Sequence, residues 1–462
     1  MTKSFIDNPA EHFEYDYFAA HQLARDGVEK EQLAGLNRRF QDLKDKILPL
    51  SVLAESQNVT EIEALNDVLP LLFPHTLYKA YPEELLLTGQ YDKMTKWLSR
   101  LTTVDLTDFA KENYQTMDDW MDFMDQQTGL EILHSSGTTG RLSFYPRSKM
   151  EIEARQSLLK MHLNDKFDQE LRLRDRENAV IWTGHAGGRT SFLRDVPLIA
   201  NAYTKSDDAF FPLIPALMSS DHHYFLLRCT NLMEQGVEAA PEPSDYVRMR
   251  IDEAKQIHAD MPMLTERLLD IIAGLKYKMH VTLIGVPVRI NDLVEAGLAR
   301  GMENMFRPQS LIGMGGGFKN NPVIDNLISQ IKRFAGPNML FRGGYGMSEL
   351  LSAFAACGAE NYHLPPWVVA FVLDVETGQP RPRTGRQKGR FAFYDLLAKS
   401  HWGGVVTGDL VEIDWGQCGC GRNTPFIRPN ITRISDDSHP LSGEMDRKAW
   451  AAALTVLTEN VT

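Results

Sequence analysis

Three sets of residues in this chain have the types and spacings of ligand-holding sites. The first is Leu133-His-Ser-Ser-Gly-Thr-Thr-Gly140. Gly137 and Gly140 let the backbone curl closely round an anion, and Ser135, Ser136, Thr138 and Thr139 add hydroxyl donors to the backbone N–H groups. Phosphate suits such a turn, although an ordinary surface loop has the same composition. The second set is Cys357-Gly-Ala-Glu-Asn-Tyr-His363 with Cys418-Gly-Cys420-Gly-Arg422. Three thiols and an imidazole make a complete tetrahedral set for Zn2+ with no open position, hence a structural role. The other reading is a core Cys357 with Cys418 and Cys420 as free loop thiols. The third set is glycine-rich: Gly184 to Gly188, Gly313 to Gly317 and Gly343 to Gly346. Near the first of these, Arg189 could pair with an acidic substrate or sit in a plain turn. Cys229, in YFLLRCTNL, reads as a core residue. The adjacent His222 and His223 read as a polar turn.

These groups need a scaffold. From about residue 130, short apolar stretches (179–182, 280–285, 339–341, 368–373 and 390–394) alternate with helical patterns at 148–166, 246–276, 288–304 and 322–335. Such alternation predicts an α/β fold with mixed or parallel sheets. The glycine runs follow strands, where ligand crevices form in α/β sheets, and three of them suit a nucleotide-sized ligand. Residues 1–105 carry apolar positions three and four apart, in LAGLNRRFQDLKDKILPLSVLAE and QYDKMTKWLSRL, broken by Pro70, Pro74 and Pro82. They predict a helical N-terminal cap.

The string SSGTTG resembles the phosphate loop of the acyl-adenylate-forming (ANL) superfamily, which includes acyl-CoA synthetases, peptide-synthetase adenylation domains and luciferases. Three further motifs follow in that family's order. Leu311-Ile-Gly-Met-Gly-Gly-Gly-Phe-Lys319 resembles its glycine-rich segment, Tyr345-Gly-Met-Ser-Glu349 its Tyr-Gly-x-Thr-Glu motif, and Thr407-Gly-Asp409 its Thr-Gly-Asp motif. The resemblance covers roughly residues 130–437 and is closest to the phenylacetate-CoA ligase and acyl-protein synthetase branch. Some relatives there also carry a Cys-x-Cys-Gly-Arg element. It implies ATP binding by Ser135, Ser136, Gly137, Thr138, Thr139, Gly140, Gly315, Gly316, Gly317, Tyr345, Gly346, Met347, Ser348 and Asp409. Tyr345 would pack on adenine, Ser348 would meet the α-phosphate and Asp409 would accept from the ribose hydroxyls. Glu349 would hold Mg2+, a hard cation that takes carboxylate and phosphate oxygens. Thr139, Ser348, Glu349 and His185 are the implied catalytic residues, with His185 beside the carboxylate substrate. The loop departs from the family pattern after Gly140, where Arg141-Leu142-Ser143 replaces a run ending in lysine. Arg141 or Arg147 is the cation available instead.

The resemblance thus implies an adenylate-forming core at 106–432. Residues 433–462, past the hinge-like Arg433-Ile-Ser-Asp-Asp437, are an expected short remnant of the family's mobile C-terminal domain. The implied function is activation of a carboxylic acid to acyl-AMP with release of pyrophosphate. The acyl group would then pass to CoA, a carrier or protein thiol, or a partner reductase or transferase. The alternative is a catalytically degenerate nucleotide- or acyl-binding subunit. With 462 residues, 43% hydrophobic and 24% charged, the chain has ordinary globular composition. Its net charge of -12 argues against nucleic acid as a main partner. No apolar run has the length of a membrane span. The acidic N-terminus lacks a signal-like apolar stretch, and four scattered cysteines suit a reducing, cytoplasmic setting.

Overall fold

The computed structural model of this chain describes residues 4–111, 114–137, 140–162, 176–234, 245–316, 324–434, 447–459 and 461. The chain divides into two compact units, one made of Met1–His162 with Gly346–Thr462 and the other of Leu163–Tyr345.

In the first unit, helix Arg25–Leu43 buries Val28, Gln32, Leu36, Phe40 and Leu43, one stripe at three-to-four spacing. Helix Leu48–Ser56 starts with Pro49 in its first turn, where a missing N–H costs nothing. Helix Arg447–Thr458 packs against Leu48–Ser56 through a face containing Ala449, Ala453 and Leu457. The Arg100 guanidinium donates to the carbonyls of Val456 (2.8 Å) and Glu459 (2.6 Å) at the end of that helix.

A seven-stranded sheet forms the centre of this unit. Val368–Leu373 pairs antiparallel with Arg386–Asp395, which pairs with Gly404–Asp414 across a bulge between Arg390 and Ala392. Every residue of Val368–Leu373 is buried, which explains its unbroken apolar sequence. The short strand Phe73–Pro74 runs parallel to Val405–Val406 and ties the N-terminal helices to the sheet. A separate antiparallel hairpin, Leu130–His134 with Phe144–Ser148, is buried throughout and carries the Ser/Thr/Gly loop at its tip.

In the second unit, parallel strands run in the order Phe210–Met218, Asn178–Gly188, His280–Gly285, Leu311–Met314 and Leu340–Tyr345. Helices Asp245–Leu275, Pro287–Ala299 and Leu327–Ala335 close a core that includes Leu269, Ile272, Leu283, Ile290, Leu293 and Phe334. The α/β class expected from alternation is the one observed, and strands His280–Gly285 and Val368–Leu373 have the expected bounds.

Strand Phe210–Met218 escaped sequence reading because Pro212 and Pro215 interrupt it. Both are tolerated because this strand lies at the end of the sheet order, where a ladder N–H can be spared. His222 and His223 are not in a turn: they lie in helix Ser220–Glu234, whose first turns they help form. Cys229, on the same helix, is half-buried rather than a core residue. Among the described residues, no helix is long and apolar enough to cross a membrane.

Candidate functional site

The hairpin tip is held shut by its own serine. The backbone N–H of Ser135 donates to the Ser143 carbonyl (2.9 Å), and Ser135 Oγ accepts from the N–H groups of Ser143 (2.9 Å) and Gly137 (3.3 Å). Gly137 and Gly140 adopt φ of 65° and 95°, a left-handed backbone that favours glycine. The Gly140 N–H closes onto the Gly137 carbonyl at 2.7 Å. Ser135 therefore shapes the loop, while Ser136 stands half-buried beside it. Thr138 and Thr139 lie outside the described residues.

Strand Phe144–Ser148 reaches from this loop to the Tyr-Gly-Met-Ser-Glu segment. Alternate strand residues share a face, so Tyr145 and Arg147 are directed together. The Tyr145 hydroxyl donates to Glu349 Oε1 at 2.9 Å across 204 positions of sequence. Burial and the facing Glu349 carboxylate push the Tyr145 phenol well up, so it stays a donor. Arg147, fully buried, donates from Nη2 to the Ser348 carbonyl at 2.6 Å and from Nη1 to His401 Nε2. His401 Nδ1 lies 3.0 Å from Glu151 Oε1.

Glu151 is the charge that balances this buried guanidinium. It accepts from the Ser148 N–H (2.7 Å), the Lys399 and Ser400 N–H groups (2.7 and 2.9 Å) and the Ser148 and Ser400 hydroxyls (3.0 and 2.5 Å). Burial alone would raise its carboxyl, but His401, Arg147 and these donors hold it far below the usual carboxylate range. Neither arginine considered as a substitute loop cation is committed to the loop. Arg147 is engaged beneath Ser348, and Arg141 lies over the Tyr81 ring, 4.8 Å from its centroid, with Nη2 donating to the Tyr81 carbonyl.

Asp409 sits on strand Gly404–Asp414, mostly buried, with one carboxylate oxygen 3.1 Å from Arg433 Nε. In the second unit, Gly315 and Gly316 follow strand Leu311–Met314, and Gly316 has φ of 74°. Gly317 lies outside the described residues. Tyr345 ends strand Leu340–Tyr345 and is largely buried. Gly346 and Met347 follow it in the chain, exposed and half-buried respectively. His185, on strand Asn178–Gly188, places Nδ1 3.3 Å from the Ala216 carbonyl, and burial lowers its pKa. The sequence-selected residues are thus divided between the two units. Among the described ones, Ser348 and Glu349 are gripped directly by strand Phe144–Ser148 of the hairpin.

The cysteine and histidine set does come together. The ligand atoms of Cys357, His363, Cys418 and Cys420 all lie within 4.8 Å of one another. Cys357 and Cys418 sulfurs are 3.9 Å apart, and Cys420 Sγ is 3.2 Å from His363 Nε2. Sulfurs about 2.3 Å from a central zinc would be about 3.8 Å apart in a tetrahedron, whereas a disulfide needs about 2.05 Å. The set fits zinc. His363 Nδ1 faces the Thr424 carbonyl at 3.1 Å, which leaves Nε2 free of a proton and aimed at the sulfurs. His21 Nδ1 lies 2.7 Å from Thr424 Oγ1 and braces the same threonine. Burial pushes the Cys420 thiol up to about 12. Cys418 is also desolvated, yet it is held low by the Cys420 N–H and by the Asn361 amide 3.5 Å away.

Tyr145, Glu151, His401 and Asp395 were not identified as site residues from the sequence, and Arg147 was singled out only as a substitute loop cation.

A hairpin with a Ser/Thr/Gly-rich tip, a carboxylate fixed against its second strand and an inserted parallel α/β unit make up this fold. No protein-family model and no curated protein matches the sequence. Among solved structures, the chain is similar to an open conformation of 2-hydroxyisobutyryl-CoA ligase in complex with 2-HIB-AMP and CoA. The TM-score is 0.55 at 12% identity, covering 93% of this chain and 80% of that one. The same ligase in its postadenylation state with 2-HIB-AMP gives 0.53 at 12% identity over 93% and 72% of the two chains. In the thioesterification state the values are 0.52, 13%, 91% and 72%. At these identities the likeness establishes the fold alone.

Proposed function

We propose that this chain is an acid-activating ligase that makes an acyl-adenylate from ATP and a carboxylic acid. The observation that carries the reading is the Tyr145 to Glu349 bond. Within an adenylate-forming fold, it joins the hairpin of the phosphate-type loop to the carboxylate that would face the same phosphates. A substrate carboxylate oxygen would attack the α-phosphorus, the α–β phosphoanhydride bond would break, and pyrophosphate would leave. Ser136, Thr138, Thr139 and the backbone around Gly137 and Gly140 would hold the phosphates, with Ser135 shaping the turn. Ser348 would bond the α-phosphate and Glu349 would hold Mg2+. When bound, that cation neutralises charge building on the leaving pyrophosphate. Asp409 would accept from the ribose, Tyr345 and Gly315 to Gly317 would serve the base, and His185 the acid. A thiol, of CoA or of a carrier or partner protein, would then displace AMP. The phenylacetate-CoA ligase or acyl-protein synthetase branch remains the preferred one on the strength of the Gly-Gly-Gly-Phe-Lys string and the cysteine set. Cys357, His363, Cys418 and Cys420 would hold a structural Zn2+ with no coordination position open for catalysis.

The test is ATP–pyrophosphate exchange with Mg2+ and pooled aryl, fatty and amino acids. Acid-dependent exchange should drop at least about a hundredfold in Glu349→Ala, the size of losing one transition-state electrostatic partner. Absence of exchange together with absence of ATP binding would overturn the enzyme reading. A second reading, a degenerate binding subunit, is favoured by the engagement of Arg141 with Tyr81 and of Arg147 with Ser348. It would show as ATP binding without exchange for any acid.

A further inference from the structure

The segment that carries Ser348 and Glu349 has no helix or strand from Gly346 to Ala353, yet it is fixed at three successive points. Arg147 holds the Ser348 carbonyl at 2.6 Å, Tyr145 holds the Glu349 carboxylate at 2.9 Å, and Asp395 Oδ2 accepts from the Leu351 N–H at 2.9 Å. All three gripping side chains are buried, and all three come from strands: Phe144–Ser148 supplies two and Arg386–Asp395 the third. The grips are themselves held. The Tyr145 ring lies 4.7 Å from that of Tyr78, and Asp395 Oδ1 also accepts from the Leu397 N–H at 3.0 Å. Arg147 is backed by His401 and, through it, by Glu151. The His401 ring thus lies between the buried Arg147 guanidinium and the buried Glu151 carboxylate.

A carboxylate on a loop ordinarily samples several rotamers, and freezing a long side chain has an entropic cost. Here that ordering is done in advance by the protein interior. Tyr145 occupies one lone-pair direction of Oε1 and leaves Oε2 uncommitted to it, the arrangement expected of a carboxylate presented in one orientation.

We infer that Tyr145 and Arg147 are positioning residues that pre-set Glu349 and Ser348 for Mg2+ and the α-phosphate. The inference rests on the adenylating reading given above. Neither residue touches the reacting atoms: Tyr145 acts through the Glu349 carboxylate and Arg147 through the Ser348 main chain.

The experiment is a double-mutant cycle of Tyr145→Phe and Glu349→Gln in the full-length protein. It is read by Mn2+·ATP binding (electron paramagnetic resonance titration of free Mn2+) and by the Mg2+ dependence of exchange. Phenylalanine keeps the ring against Tyr78 and removes only the hydroxyl. Tyr145→Phe should weaken Mn2+·ATP binding and raise the Mg2+ needed for half-maximal exchange by about tenfold, the size of one hydrogen bond to a charged group. The KM for the acid should be unchanged, and the substitution should have no further effect once Glu349 is glutamine. Arg147→Lys, which keeps the charge but not the forked reach, should lower kcat with little change in acid KM.

A Tyr145→Phe protein with wild-type Mn2+·ATP binding overturns the inference. So does an equal loss with and without the Glu349 carboxylate, which would mark Tyr145 as merely structural. If the wild-type protein itself binds no Mn2+·ATP, the functional reading falls, and this inference with it.

Discussion

At the scale of single residues, the buried charges of Arg147 and Glu151, linked through His401, are the feature with the largest expected consequence. Removing one member of a buried pair leaves the other unbalanced, a loss of about 3–5 kcal/mol. Glu151→Gln is therefore expected to lower unfolding free energy by that amount in urea titrations, although Glu151 lies beneath the site rather than in it. The pH dependence follows from the sign of its shift. Glu151 is held below the ordinary glutamate value of 4.5 in the folded chain. Its contribution is thus complete above that value and is lost as pH falls below it toward the folded pKa. Asp395, pushed up by burial, has the opposite sign and offsets part of that acid loss. Stability of the wild-type protein measured from pH 7 down to pH 3 should fall more steeply than that of Glu151→Gln. Parallel curves would contradict this account. Ser348 and Glu349 stand out in the sequence because they sit in a contiguous string resembling a Tyr-Gly-x-Thr-Glu motif. The sequence could not disclose Tyr145 or His401, since their partners lie 204 and 254 positions away and no spacing rule links them.

At the scale of elements, the cysteine cluster sits beside two short strands at one end of the seven-stranded sheet. Tyr362–His363 and Phe426–Ile427 are each two residues long, and pair with each other through only that length. A closed metal centre there would reinforce this short edge of the seven-stranded sheet, since metal-binding free energy becomes folding free energy. The purified protein is expected to contain one zinc per chain by elemental analysis, and Cys418→Ser to lose it with a fall in Tm of several degrees. Protein free of zinc with an unchanged Tm in Cys418→Ser would return these residues to ordinary core and loop thiols. This cluster was readable in the sequence because tetrahedral zinc demands a fixed donor set. Strand Phe210–Met218 was not readable, because its two prolines mimic a loop unless the strand is known to lie at a sheet edge. Helix Leu327–Ala335 begins five residues later than the periodicity suggested, after Asn326. Helix starts are weakly marked where no capping side chain bonds the first turn, and Asn326 makes no such bond.

At the scale of the whole molecule, the first unit is discontinuous in sequence and the second is inserted within it. All four cysteine-cluster residues belong to the first unit, whereas Trp182 is the one tryptophan between positions 163 and 345. Each unit has its own core, so chelation should act on one of them alone. EDTA at moderate denaturant is expected to shift the unfolding transition reported by a variant in which Trp367, Trp402 and Trp415 are the remaining tryptophans. The transition reported by Trp182 alone should stay in place. Coincident shifts in both would mean that the two units unfold as one cooperative body.

The parallel pairing of Phe73–Pro74 with Val405–Val406 also sets a timetable. A chain emerges from the ribosome at roughly 5–20 residues per second, so more than 300 residues of synthesis separate these partners, a wait on the order of a minute or less. The inserted unit is fully synthesised before the sheet that the first helices need exists. During that interval Phe40, whose ring meets Trp402 in the finished protein, and Phe73, which pairs with Val405, have yet to meet these partners. A nascent chain of this design gives chaperones a defined window in which to act, and that window closes only when Val405 and Val406 leave the exit tunnel.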